Sequence, residues 1–347
     1  MKKIRILSID GGGIRGILPG TILQNLEIEL NKIDPKGPRR IGEYFDMIAG
    51  TSTGGILTCL YLMPGEDKKR AAYSAKDALD LYLEHGREIF KRTLREKIES
   101  GGGVIHEKYS FLKLEELLKQ YCGETTLNEL IRPSLIPAYE ITERRAVFFT
   151  SSDAGVNPMY NFKVRELARA TAAAPTYFEP AHISSLSGQF YSLIDGGVFA
   201  NNPGLCAYAE ARKTPFKDFL CDPDKPNFPS AKDMMIVSIG TGSVKKQYHY
   251  NNMIHKGKIG WIEPIIDILM SGSGETVDYQ LRQLYLTLNG GDELDYFRLE
   301  PDLKEACSEM DEASPENIQN LYQAGLSFVY DNAAQIKEIA KKIMLHE

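Results

Sequence analysis

The chain has 347 residues, of which 43% are hydrophobic and 25% charged, with a net charge of −6. These are the proportions of a globular protein long enough to bury a large core, and the acidic balance excludes a surface built throughout for a nucleic-acid polymer. Five scattered cysteines, Cys59, Cys122, Cys206, Cys221 and Cys307, with no Cys-x-x-Cys pair, argue against a disulfide framework and against a zinc site.

The basic start Met1–Ile6 is cut by Asp10 and three glycines, too early for a signal peptide. No apolar run approaches the ~18 residues of a membrane span. The expectation is a cytoplasmic protein that meets membranes only from the surface of the inner leaflet.

Ile4–Ile9 reads as a buried first strand, followed by Asp10-Gly11-Gly12-Gly13-Ile14-Arg15-Gly16 and a helix from about Leu18 to Lys32. A second apolar strand begins at Phe45 and runs into Gly50-Thr51-Ser52-Thr53-Gly54. An apolar segment, Ile56 to Met63, follows and stops at Pro64-Gly65. Ala71 to Ile98 reads as helical with a break near His85-Gly86, then a Gly-rich loop at 100–103 and helix again over Leu114–Tyr121. Leu135–Ile141 and Ala146–Thr150 read as strands, and Val164–Ala173 as a helix stopped before Pro175. Phe190–Ile194 reads as a strand ending at Asp195-Gly196-Gly197. Helix is expected from Asn202-Pro203 to Arg212 and strand over Met234–Ile239. Further on, helix is expected over Trp261–Leu288 with a break at Ser271–Gly274, strand over Tyr296–Leu299, and one last helix from the Ser314 cap to about Met344. This alternation predicts a mostly parallel sheet covered by helices, in one domain over 1–347. Its motifs fall within about 4–242, and the helices of 260–347 pack on that core.

Gly50-x-Ser52-x-Gly54 after a strand is the pattern of a nucleophile elbow, in which a serine stands out on a strained turn. Side chains at Gly50 or Gly54 would collide with the strand or the helix. Asp195, placed after a strand in an Asp-Gly-Gly turn, is the candidate base, although Asp-Gly is also a common turn pair. Gly11–Gly16 offers successive backbone N–H groups before a helix, an anion-binding concavity. Arg15 supplies a nearby positive charge, as an anion stabiliser or as a structural ion-pair partner. Gly11-x-Gly13-x-x-Gly16 also fits a dinucleotide fingerprint, which would make the protein a nicotinamide oxidoreductase. Against that, Asp10 would face a pyrophosphate, and the second strand ends in Gly50-Thr51-Ser52, not in a ribose-binding acid.

Together the blocks 10–16, 50–54 and 195–197 resemble the three signatures of the patatin-like phospholipase family. Ala168-Arg169-Ala170-Thr171-Ala172-Ala173-Ala174-Pro175-Thr176-Tyr177-Phe178, Ser238–Gly242, Tyr296-Phe297-Arg298 and Met310–Ser314 extend the resemblance over nearly the whole chain. It implies a three-layer α/β/α fold and a phospholipase A or lipid acyl hydrolase, a carboxylic ester hydrolase that needs no cofactor and no metal. By the same resemblance Ser52 is the nucleophile, Asp195 the base of a dyad, and Gly50 and Gly54 the elbow glycines. The loop of Gly11, Gly12 and Gly13 holds the oxyanion through N–H groups at Gly12 and Gly13, with Arg15 beside them. A Ser–Asp–His triad would require His249 or His255, the histidines that follow Asp195 in the usual chain order before the terminal His346. A non-catalytic or storage-like relative with an idle site is the other alternative.

The stretch Met253–Met270 holds the only tryptophan, Trp261, and basic neighbours Lys245, Lys246, Lys256 and Lys258. It suits either an element touching a phospholipid surface or a helix lying on the sheet. The basic segment Arg87–Lys108 is either a solvated helix face or a site for an anionic ligand. Bacterial family members of this size include antiphage effectors switched on by cyclic dinucleotides, and the resemblance extends that possibility to this chain.

Overall fold

The computed structural model describes residues 2–90, 111–243, 247–257, 259–288 and 295–347. Its strands are β1 (Ile4–Ile9), β2 (Met47–Gly50), β3 (Ser134–Glu140), β4 (Arg145–Thr150), β5 (Ala181–Ser184), β6 (Phe190–Asp195), β7 (Met234–Ile239) and β8 (Tyr296–Leu299). β8, β7, β1, β2 and β3 are parallel neighbours in that order. β1 is central: Ile6 to Ile9 pair with Met47 to Gly50 on one side, and Ile4 to Ile9 with Met234 to Ile239 on the other.

Both faces of the central strands are covered, which is why they read as predominantly apolar runs. Side chains alternate between two cores. Ile4, Ile6, Met234 and Ile236 enter one; Leu7, Ile9, Met235, Val237 and Ile239 enter the other. The larger core is roofed by α1 (Ile17–Ile33), α2 (Thr53–Leu62), α3 (Ala75–Ile89), α4 (Leu112–Cys122) and α5 (Val164–Thr171), together with the C-terminal pair. The smaller core lies under α6 (Gly204–Ala211) and α7 (Ile262–Leu288). The C-terminal pair is α8 (Pro315–Asp331) and α9 (Ala333–Leu345). The fold is therefore three-layered α/β/α. Among the described residues no helix is long and apolar enough to cross a membrane.

Three expected breaks or continuities are corrected. α3 runs unbroken through His85-Gly86: a Cβ at Gly86 would stand 2.5 Å from Ile14 Cδ1, so this glycine serves packing and ends no helix. α7 runs unbroken through Ser271–Gly274, and the hydroxyls of Ser271, Ser273 and Thr276 bond back to the carbonyls of Asp267, Met270 and Gly272 within it. The single last helix is two, separated at Asn332, whose side chain donates to Phe328 O. β5 was not expected; it is a short edge strand paired only with β6. The loop at 100–103, most of the basic segment up to Lys108, and Lys245, Lys246 and Lys258 lie outside the described residues.

One topological feature positions the site. β4 pairs with β3 along Leu135–Glu140 and so occupies one edge of it. The other edge is shared: β2 pairs with Ser134 and Leu135 in parallel, and β6 pairs with Ala138 to Glu140 antiparallel. The C-terminal ends of β2 and β6 therefore point at each other across Ile136-Pro137. Ser52 follows the first end, and Asp195 closes the second.

Candidate active site

The chain turns from β2 into α2 at Ser52, which takes φ 55° and ψ −122°. Such a conformation is costly for a side-chain-bearing residue and persists only when its surroundings over-determine it. They do so residue by residue. Thr51 Oγ1 donates to Ala200 O at 2.6 Å, Ser52 N–H donates to Thr171 Oγ1 at 3.0 Å, and Thr53 Oγ1 donates to the Tyr82 hydroxyl at 2.5 Å. The two elbow glycines are required by close approach: a Cβ at Gly50 would lie 2.0 Å from Gly54 O, and one at Gly54 would lie 2.2 Å from Ile9 O.

Thr171 also donates to Pro137 O at 2.7 Å. Its hydroxyl thus fills the gap in β3's edge between the two strand ends and ties the elbow to the sheet. Thr171 and Tyr82 were not singled out from sequence. Thr171 sits inside the 168–178 segment that carries the family resemblance, which was the available signal; Tyr82 is one apolar-face position of α3 among several.

Asp195 arrives on an antiparallel strand, β6. It reaches Ser52 because β6 stops at Ala138, just past the end of the short β2. Its Oδ1 accepts the Gly197 N–H at 2.7 Å, and its backbone N–H donates to Ala173 O. The Ser52 hydroxyl is near enough to favour the Asp195 anion, but Oδ2 is buried without a formed hydrogen bond. Burial pushes the carboxyl up to about 7, against the opposing pull of Ser52 and the Gly197 N–H. A carboxyl in that range can take and return a proton at neutral pH.

The glycine loop lies beside Ser52 as expected: a Cβ at Gly11 would stand 3.1 Å from Ser52 Cβ. Its members are not equivalent. Gly11 N–H donates to Asn201 O at 3.1 Å, so that amide is already spent within the fold. Gly11 O accepts the Thr241 hydroxyl, which links the loop to the Gly240-Thr241-Gly242 turn after β7. Gly12 and Gly13 remain as the loop's candidate donors. Arg15 Nε donates to Gly12 O at 3.4 Å, while its guanidinium lines a separate polar cavity and not the one holding Ser52. Asp10 is held by Arg298 through two hydrogen bonds, Nη1 to Oδ1 and Nη2 to Oδ2.

Ser52 and Asp195 open into a cavity with an almost wholly apolar lining, including Ile56, Leu81, Leu114, Phe178, Ile266 and Met270. Among the described residues no histidine lines it, and none of His85, His182, His249, His255 or His346 is brought to Asp195; His106 lies outside the described residues. Also among the described residues, no cluster of three or more His, Cys, Asp or Glu is arranged to hold a metal ion. Trp261 ends a single turn before α7. That helix presents Ile266 and Met270 to the cavity and Ile265, Ile268 and Leu269 to solvent, each about half exposed.

The chain is similar to known proteins over the same ground. The patatin-like phospholipase profile matches residues 7–205. Patatin-like protein 2 of Oryza sativa subsp. indica is 35% identical, with 97% of this chain and 86% of the relative covered. Patatin group D-2 of Solanum tuberosum is 33% identical over 93% of this chain and 83% of its own length. Another potato relative, 32% identical over 93% of this chain and 86% of its own, is named a probable inactive patatin. The profile spans all three motif blocks and the relatives extend through the C-terminal helices, so the chain belongs to the patatin-like phospholipase family, a family of lipid acyl hydrolases.

Proposed function

We propose that this lipid acyl hydrolase cleaves acyl esters of membrane phospholipids through a Ser52–Asp195 dyad and an acyl-enzyme. One observation carries the reading: a serine on a strained elbow and a buried carboxyl raised to about 7 share one apolar cavity beside the glycine loop. The fatty acyl chain lies in the apolar cavity. Ser52 Oγ attacks the ester carbonyl while Asp195 takes its proton, and the oxyanion is held by the N–H groups of Gly12 and Gly13. The leaving alcohol takes the proton back from Asp195. Water then attacks the acyl-enzyme with Asp195 again as base, and fatty acid is released.

Activity at a bilayer is supported by α7, which exposes Ile265, Ile268 and Leu269 next to the cavity that its other face covers. The idle-relative alternative is disfavoured because the pair retains both the strained serine and a carboxyl with an unspent oxygen. Activation by a cyclic dinucleotide finds no supporting feature among the described residues, and most of the basic segment considered for it lies outside them. The test is fatty-acid release from mixed phospholipid vesicles by wild type and Ser52→Ala, each with and without a panel of cyclic dinucleotides. Release by wild type and its loss, roughly 10⁴-fold or more, in Ser52→Ala is expected. Equal release by both proteins would overturn the dyad, and release only with a nucleotide would add the regulator.

A further inference from the structure

A second cavity, more polar in its lining, adjoins the apolar one; Met270 and Met310 line both. A phospholipid also has an apolar and a polar part, one on each side of the scissile ester. Two groups in the polar cavity are unspent. Arg15 Nη1 and Asn201 Oδ1 have no hydrogen-bond partner, although the residues are only 6% and 8% exposed. Leaving a buried donor or acceptor unmatched costs about 1–3 kcal/mol, so the cavity floor is suited to a ligand that supplies both an acceptor and a donor.

The charges on the walls sort into compensated and uncompensated. Arg298 takes Asp10 with two hydrogen bonds and also reaches Glu300, and Arg282 pairs with Asp278 at 2.9 Å. Asp267 and Glu275 on α7 have no cation within ion-pair distance among the described residues; Asp267 has only the Tyr248 hydroxyl, at 3.0 Å. The lining therefore holds one buried guanidinium without an ion-pair partner beside the glycine loop, with Asp267 the carboxylate that acts on it most strongly and Glu275 exposed farther along α7.

Resting on the phospholipid reading above, we infer that this cavity is a head-group subsite in which Asp267 and Glu275 select lipids carrying an ammonium cation over lipids with an anionic head. The acceptor oxygens of such a head face Arg15, and its cation faces the α7 carboxylates. Phosphatidylglycerol carries the same phosphate but a neutral glycerol where the ammonium would stand, so it leaves the α7 carboxylates without a counter-charge, and that lost attraction is the source of discrimination.

The experiment measures fatty-acid release from phosphatidylethanolamine and phosphatidylglycerol of identical acyl chains, each in neutral detergent micelles so that bilayer charge plays no part. The readout is the ratio of the two rates within one preparation, which cancels any difference in the fraction of folded enzyme. Wild type is expected to favour phosphatidylethanolamine by about tenfold, and Asp267→Asn/Glu275→Gln to bring the ratio near one. Glu66→Gln/Glu143→Gln, which removes the same charge from exposed positions that line neither cavity, leaves the wild-type ratio in place. A wild-type ratio at or below one, an unmoved ratio in the cavity variant, or an equal shift in the remote variant overturns the subsite. If Ser52→Ala abolishes release while the ratio refuses to move, only the subsite falls. No Ser52-dependent release from either lipid sinks the hydrolase reading and the subsite with it.

Discussion

The two halves of the proposed dyad lie in one cavity but are held there by different kinds of structure. Ser52 is held by its own turn: five consecutive residues, two of them glycines, create it, and single hydrogen bonds from its neighbours to Ala200 and Tyr82 pin it to the surrounding elements. Asp195 is held topologically. It reaches the serine only because β6 shares an edge of β3 with β2 and stops short of it. A locally built residue is lost by spoiling its own motif, whereas a topologically placed one is lost by disturbing distant pairings. Thr171 belongs to both, since its hydroxyl joins the elbow amide to the β3 carbonyl in the gap.

Asp195→Asn separates the two halves most sharply. Ester hydrolysis is expected to fall roughly 10⁴-fold, as for removal of a catalytic acid–base group. Stability is expected to move the other way. The folded carboxyl sits near 7, above its ordinary 3.8. Its contribution to stability is thus complete below about 3.8 and lost as pH rises through 7, where the buried anion is forced on the fold. At pH 8 the asparagine variant should melt several degrees above wild type, read by calorimetry. For the same reason wild-type kcat/KM should climb with pH through a midpoint near 7, because the anion is the base. A midpoint near 4 would exclude Asp195 in that role.

Gly54→Ala attacks the local half. Its Cβ would meet a backbone carbonyl of β1 that cannot move aside, so a loss of roughly 3 kcal/mol in unfolding free energy is expected by denaturant titration. Activity should fall with the elbow geometry. An alanine variant as stable as wild type would show the turn to be less constrained than the close approach implies.

Thr171→Val tests the joint. It leaves the buried Ser52 N–H and Pro137 carbonyl without their partner, at about 1–3 kcal/mol. We expect a ten- to hundredfold fall in kcat with KM within about twofold, since the acyl cavity is untouched. A change confined to KM would place Thr171 in substrate binding instead. The smallest effect is expected from Ile268→Ser/Leu269→Ser on the exposed face of α7. Rates on vesicles should fall a few-fold while rates on a short soluble ester hold. Equal effects on both substrates would argue against surface contact by this helix.

Much of this was legible in the chain. The strands β1, β7 and β8 stand where their apolar runs predicted, because a strand buried on both faces advertises itself without help from partners. The errors share a cause. Gly86 and Gly274 look like helix breakers in isolation, yet each is a contact site, against Ile14 in one case and facing Asn202 and Asp10 in the other.

What short-range chemistry dictates here is the elbow, the glycine loop and the apolar strands, since steric collision and buried backbone polarity act over a few residues. Folding in three dimensions adds the rest. It sets the antiparallel approach of Asp195, the loss of Gly11's amide to Asn201, the role of Thr171 across the β3 gap, and the division of space beside the glycine loop into an apolar and a polar cavity. Each of these joins residues at least 34 positions apart, as Thr171 and Pro137 are, and is fixed by which strands share an edge and which helix lies over them.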